Sequence, residues 1–488
     1  MPKKILFMLS IIFFLIFFIV RLYISNNLIF KENVITQQEF DKIISTKEEY
    51  KDFIDVKHNN ESIPFDKVNN YYLLSQVEGS KYNGHISIDK FEIDILKNNK
   101  SKNEIISTND NLVILAYNDK YYKIINLKLT CFPVIKLDES SNKVTIYDND
   151  SEREVLNVQK HSMSYHIRGN STAVSKKKSY KLNILDSKGK KKKVSLLNMR
   201  NDDDWILNAM STDRAYMLEK IGYNIWGKMS EFDIQLKYIE LFINNEYKGI
   251  YYLQEPADFK TYNANNKSLL ISIKCWQTDI KKPILFNENL EYKTLIDEFE
   301  FDSKINEEQQ IELLRTFISD IREKGYSSKI KLNYDAENIA NYSLFINLIS
   351  AIDNTYKNQK ILFRYIDGEY FVELYPWDLD LSQNNEKLKE EHNFLKIVNN
   401  VNIPKQILQS ESYNKLLINK YNSLRETVYN EKYLYDLIDS NKKEIEKSGA
   451  IFREEKVWGD RDLDKSIQNL KELYSEKIKI LDNYYGGR

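Results

Sequence analysis

Between Asp353 and Asp380 the chain reads DNTYKNQKILFRYIDGEYFVELYPWDLD, and this stretch leaves it little freedom of fold. Two runs rich in β-forming residues, ILFRYI and YFVELY, are separated by Asp367-Gly368, a pair suited to the positive φ angles of a tight hairpin turn. A hairpin returns the chain on itself, so Asn358 at its entrance and Trp377, Asp378, Leu379 and Asp380 at its exit are expected side by side. Upstream, the apolar pattern of Ile339 to Ile352 predicts a helix over 336–352 that ends at Asp353.

Those residue types in that order suit phosphoryl transfer. The reaction needs a carboxylate near the attacking hydroxyl and oxygen ligands for the cation that bridges the nucleotide phosphates. Asp353 fits the first role, and Asn358 and Asp378 the second. Asp380, two residues on, either reaches the same metal or points to the opposite side. Each residue alone also has an ordinary use: Asp353 can end a helix, Asp367-Gly368 can simply turn, and Asp378 can cap a following segment. Their order and spacing favour chemistry.

The rest of the chain reads as a β-rich half followed by an α-rich half. SYHIRG (164–169) and SYKLNIL (179–185) predict a hairpin with a basic tip, VSLLNM (194–199) a third strand, and Ser211 or Asp213 a cap for a helix of roughly 16 residues ending near Lys228. YIELFIN and YKGIYYLQE predict a second hairpin turning at Asn244-Asn245, stopped by Pro256. Helical patterns follow at 307–324 and 463–485. Arg168, Lys177, Lys178 and Lys181 are candidates for the phosphates of a nucleotide; Lys178 and Lys181 differ by an odd number, so an extended strand turns only one of them into a cleft. Lys176–Lys178 and Lys190–Lys193 also read as solvated hairpin tips, and Glu219 as either a lysine partner or a surface residue.

Other classes lose ground on composition. With 71 basic and 72 acidic residues and a net charge of −1, no global field draws the chain to nucleic acid. Cys131 and Cys275 sit in apolar strand-like contexts, and five histidines offer no paired metal-ligand spacing. Lys3 and Lys4 precede an apolar run over residues 5–24 interrupted by Arg21, with no small-residue cleavage site after it. An uncleaved single-pass anchor is expected there, since a helix of about 20 residues spans a bilayer core. The two lysines favour a cytoplasmic amino terminus and an extracytoplasmic bulk.

RGNST with KKSYKL, DDDWILNA, YIELFINNEYKGIYYLQEPAD and DNTYKNQ…YPWDLD occur in this order over about residues 130–485. In these blocks the chain resembles the CotH (spore coat protein H) kinase family of atypical protein kinases. The resemblance implies an α+β, two-lobed protein-kinase-like fold, with a β-rich N-lobe at 130–255 and a helical C-lobe at 256–488, behind a membrane anchor at 1–25 and a small β-rich region of unknown role at 26–129. It implies transfer of the γ-phosphate of ATP, with Mg²⁺ or Mn²⁺, to Ser or Thr of a Ser/Thr-rich protein substrate tied to the spore coat or cell surface. Residue by residue it implies Asp353 as the catalytic carboxylate, Asn358 and Asp378 as metal ligands, and nucleotide contacts from Arg168, Lys178 and, at the hinge, Glu255. Leu218 stands where the family often has a basic residue, and Leu381-Ser382-Gln383 follows the WDxD block where the family usually has Gly. Protein nucleotidyl transfer on the same fold, and a surface protein without catalysis, are the competing readings; the complete set Asp353, Asn358 and Asp378 speaks against the latter.

Overall fold

The computed structural model describes residues 33–76, 86–96, 111–150, 155–169, 174–273, 297–323, 327–355, 357–382, 397 and 402–486. The apolar run at 5–24, the end of the RGNST turn and Cys275 lie outside the described residues. Among the described residues no helix is long and apolar enough to cross a membrane.

The fold is mixed α+β. The described residues between 33 and 130 include a first sheet in which Asn111–Tyr117 and Tyr121–Thr130 pair antiparallel and Tyr71–Ser75 lies parallel to the latter. One face closes over Ile54, Val56, Leu74, Ile114 and Leu127. Tyr71 and Leu73 instead pack with Val134, Tyr147, Phe242 and Tyr247, so this sheet and the next unit share a core.

That unit is a closed seven-stranded barrel of β1 (Val134–Asp138), β2 (Lys143–Asp150), β3 (Val155–Arg168), β4 (Ser179–Leu185), β5 (Asp204–Asn208), β6 (Leu236–Ile243) and β7 (Glu246–Gln254), in the order β1-β2-β3-β4-β5-β7-β6. Parallel pairing of β1 with β6 closes the ring. Strand alternation turns Ile135, Leu137, Ile146, Leu182, Ile184, Trp205, Leu207 and Leu253 inward. The β6–β7 turn is formed by Asn244 and Asn245 at φ 51° and 61°, as the sequence predicts. Two local expectations fail. Only Val194–Ser195 of VSLLNM is strand, paired with Asn201–Asp202, while Leu196, Leu197 and Met199 fill the barrel core from a loop. The inserted helix, α1 (Leu218–Met229), has 12 residues rather than about 16: Asp213 accepts from the amides of Ala215 and Leu218, both at 2.8 Å, so the chain after it loops before the helix begins.

The second half is not wholly helical. A five-stranded sheet of β8 (Leu269–Ile273), β9 (Phe299–Ser303), β10 (Leu332–Tyr334), β11 (Gln359–Ile366) and β12 (Glu369–Pro376), in the order β9-β8-β11-β12-β10, lies across a cleft from the barrel. Helices α2 (Glu307–Arg322), α3 (Ala336–Leu348), α4 (Glu411–Arg425), α5 (Glu431–Ser448), α6 (Ala450–Trp458) and α7 (Leu463–Tyr485) pack around it. Two elements tie this body to the barrel. Trp226 of α1 inserts among Tyr342, Phe345 and Tyr375. On α6, Arg453 makes a two-pronged ion pair with Glu240 at 2.7 Å, and Glu454 pairs with Lys177 at 2.6 Å, all four side chains buried. Lys177 is thus no solvated hairpin tip; Lys190–Lys193 are exposed, as expected.

Candidate active site

The β11–β12 hairpin turns at Asp367 and Gly368, with φ of 50° and 97°. Its register places Gln359 opposite Pro376, and just beyond, the Trp377 amide donates to the Asn358 carbonyl at 3.1 Å. The Asn358 side-chain amide reaches the Asp378 carbonyl at 3.5 Å. Both residues adopt the left-handed region, φ 51° and 58°, which Asn and Asp tolerate better than most side chains. Asp353 sits in a short 3-10 turn, Ile352–Thr355, immediately after α3; it is 5% exposed and its carboxylate lies 2.8 Å from Lys357 Nζ. Asn354 binds the turn to the hairpin, donating to the carbonyls of Asn358 at 2.6 Å and Trp377 at 2.8 Å. Asn358 and Asp378 therefore lie side by side, as the hairpin predicts, and Asn354 holds the Asp353 turn against them.

Asp380 and Glu219 join them. Asp380 accepts from Thr212 at 3.1 Å, and Glu219, on α1, accepts from Asn208 at 3.0 Å and is 4% exposed. Glu219 is therefore not a surface residue. Burial pushes its carboxyl up to about 8, with Asp378 adding to the rise and Arg168 opposing it. Burial likewise raises Asp378, Arg168 opposing and Asp353 adding, and raises Asp380 well above the carboxylate range, with Asp378 and Glu219 adding. Four carboxyl groups thus crowd one another.

Beside them, between barrel and sheet, opens a cleft of about 480 Å³, within the usual size of small-ligand sites. Arg168, Lys181, Asp204 and Ile206 line it from the barrel, Pro256, Ala257 and Asp258 from the connector, and Leu270, Ser272, Glu300, Lys360 and Trp377 from the opposite sheet. The parity of the two lysines is resolved in favour of Lys181, which lines the cleft and pairs with Asp204 at 2.6 Å. Lys178 is not among the lining residues; its carbonyl accepts from Tyr251. Glu255 is also absent from the lining, because its carboxylate is occupied by the backbone amides of Arg200 at 3.0 Å and Gln235 at 3.2 Å. The connector residues after it face the cleft instead.

A family profile described as CotH kinase protein matches residues 165–484. The chain belongs to the CotH kinase family. The match runs from within β3 to the end of α7, so every site residue above falls inside it and the first sheet falls outside. No curated protein matches the chain.

In this CotH family chain the donor set suits a divalent cation. Asp378 raises the cost of ionising Glu219 and Asp380, and Asp353 adds to that of Asp378 and Asp380, a cost which a hard cation with oxygen ligands would relieve. Asn358 and Asp378 would hold it. Among the described residues, the tightest carboxylate cluster is elsewhere: Asp202, Asp203 and Asp204 have oxygens within 4.8 Å of one another. That cluster is already matched by Arg200, Lys181, Lys191 and Lys260 and so serves as a network of ion pairs. Sequence reasoning gave no functional role to Asn354, Lys357, Trp377 and Lys360. Their positions one to four residues after Asp353, or inside the hairpin flanks, were the only hint available.

Proposed function

We propose that this member of the CotH kinase family is an ATP-dependent protein kinase, with the barrel and the helical body as the two lobes of a protein-kinase-like fold and ATP in the cleft between them. The observation that carries the reading is the meeting of Asp353, Asn358 and Asp378 next to Trp377, which lines that cleft. Asp353 takes the proton of a Ser or Thr hydroxyl as its oxygen attacks the γ-phosphorus and the bond from that phosphorus to the β–γ bridging oxygen breaks, releasing ADP. Asn358 and Asp378 hold Mg²⁺ or Mn²⁺, which when bound neutralises charge on the phosphates. Arg168 and Lys181 face the nucleotide from the barrel. A Ser/Thr-rich protein is the acceptor, and the apolar run at 5–24 tethers the enzyme to a membrane with its bulk outside the cytoplasm.

The test is nucleotide binding by Asp378→Asn, which keeps a residue suited to φ 58° while removing the charge. ATP affinity in Mg²⁺ should fall by roughly tenfold or more, and affinity measured in a chelator should not fall, since a repelling carboxylate is gone. Equal affinities for wild type and variant in Mg²⁺ would remove Asp378 from the metal site.

A further inference from the structure

The register of the second sheet fixes a row across three strands: Ser272 on β8 stands opposite Glu300 on β9 and opposite Lys360 on β11. Residues directly opposite one another share a face, and all three line the cleft. Lys360 Nζ donates to Ser272 Oγ at 2.7 Å and lies 5.3 Å from the centre of the Trp377 ring. From the barrel, Arg168 reaches the same ring, its guanidinium carbon 5.5 Å from the centre.

Five cations line the cleft: Arg168, Lys181, Lys191, Lys260 and Lys360. Lys181, Lys191 and Lys260 are ion-paired to the Asp202–Asp204 cluster. Arg168 and Lys360 form no ion pair with any described residue, and Lys360 has two of its three N–H donors left over after Ser272. Glu300, Asp302 and Asp258 act on Lys360 only through space. Two like charges held over one indole, with donors unspent and facing a ligand-sized cleft, are arranged for an anion that enters from outside the chain. The paired lysines already have carboxylates beside them.

We propose that Lys360 and Arg168 form a phosphate clamp, one arm from each side of the cleft, with Trp377 holding both cations beside Asp378. The clamp rests on the kinase reading for the identity of its ligand, the polyphosphate of a nucleoside triphosphate, and it adds a contact from the sheet side to those expected from the barrel. Lys360 is a binding residue, whereas the proton of the acceptor is handled at Asp353.

Titration calorimetry on the full chain in Mg²⁺ tests it, with ATP, inorganic tripolyphosphate and adenosine as probes and Lys360→Met and Lys360→Gln as variants. Met keeps the length of the stem and Gln keeps a donor for Ser272, so a folding defect in one leaves the other to decide. Both should weaken ATP and tripolyphosphate by about 10- to 100-fold, the range for losing a charged hydrogen-bond partner, and leave adenosine unchanged. Wild-type affinity for ATP in either folded variant, or an equal loss for ATP and adenosine, overturns the clamp. The kinase reading fails separately: if wild type binds tripolyphosphate through Lys360 yet moves no γ-phosphate, the clamp stands without it. If γ-phosphate transfer is intact and both variants bind ATP normally, the clamp falls and the kinase remains.

Discussion

At Asp353 a catalytic and an architectural role make opposite demands on one substitution. Asn preserves size and hydrogen bonding in the 3-10 turn but removes the basic oxygen beside Lys357. Asp353→Asn should bind ATP as wild type does and transfer phosphate at least about 10²-fold more slowly, the lower end of a general-base contribution; near-normal transfer in a rapid-quench assay would leave Asp353 a turn residue. Glu219 carries a pH prediction. Its folded-state pKa of about 8 lies above the ordinary carboxyl value of 4.5, so between those limits the folded chain holds a proton that the unfolded chain has lost. Metal-free stability from this group is full below the unfolded value and drains away as pH rises through the folded one. Between about pH 5 and pH 8 the melting temperature of metal-free wild type should therefore fall more than that of Glu219→Gln; parallel curves would contradict the burial described. That Asn358 and Asp378 lie side by side could be read in the sequence because one hairpin fixes their separation. Glu219 could not, because which face of α1 meets the helical body is settled by Trp226 packing among Tyr342, Phe345 and Tyr375. Lys360 looks like any polar residue in an alternating strand.

Among the elements, α6 shows how a short helix can fix two bodies together. Its Glu454 accepts from Lys177 and from the Ile250 amide at 2.7 Å, and it fits only because residue 249 is Gly, at φ 104°. A Cβ at that position would overlap the Glu454 carboxylate and approach the Trp458 indole nitrogen at 3.0 Å. Gly249→Ala should thus break a buried ion pair and strain the backbone, lowering the melting temperature by about 5 °C or more. A shift of a degree or less, read by calorimetry, would mean that α6 docks without that pair. The hairpins were legible at this scale because Asn244-Asn245 and Asp367-Gly368 supply positive φ locally. Barrel closure was not, since β1 meets β6 across about a hundred residues of sequence. Nor were β8, β9 and β10, short strands of three to five residues whose partners lie far along the chain.

For the molecule as a whole, two bodies form one cleft and a third supports them. The first sheet braces the barrel through Tyr71 and Leu73, the barrel contributes Arg168, and the helical body brings Asp353, Asn358 and Asp378 to the same place. The order of β-rich and α-rich halves was visible in the sequence, whereas of the sheet inside the second half, which floors the cleft, only the Asp367-Gly368 hairpin was. The central claim, that this arrangement moves the γ-phosphate of ATP, meets its most direct test in one measurement: the full chain incubated with Mg²⁺ or Mn²⁺, a Ser-rich, casein-like acceptor, and ATP labelled at either the γ- or the α-phosphate. Metal-dependent transfer of the γ-label, lost in Asp353→Asn, is the predicted result; transfer of the α-label would make the protein a nucleotidyltransferase, and transfer of neither would leave the cleft a binding site without catalysis.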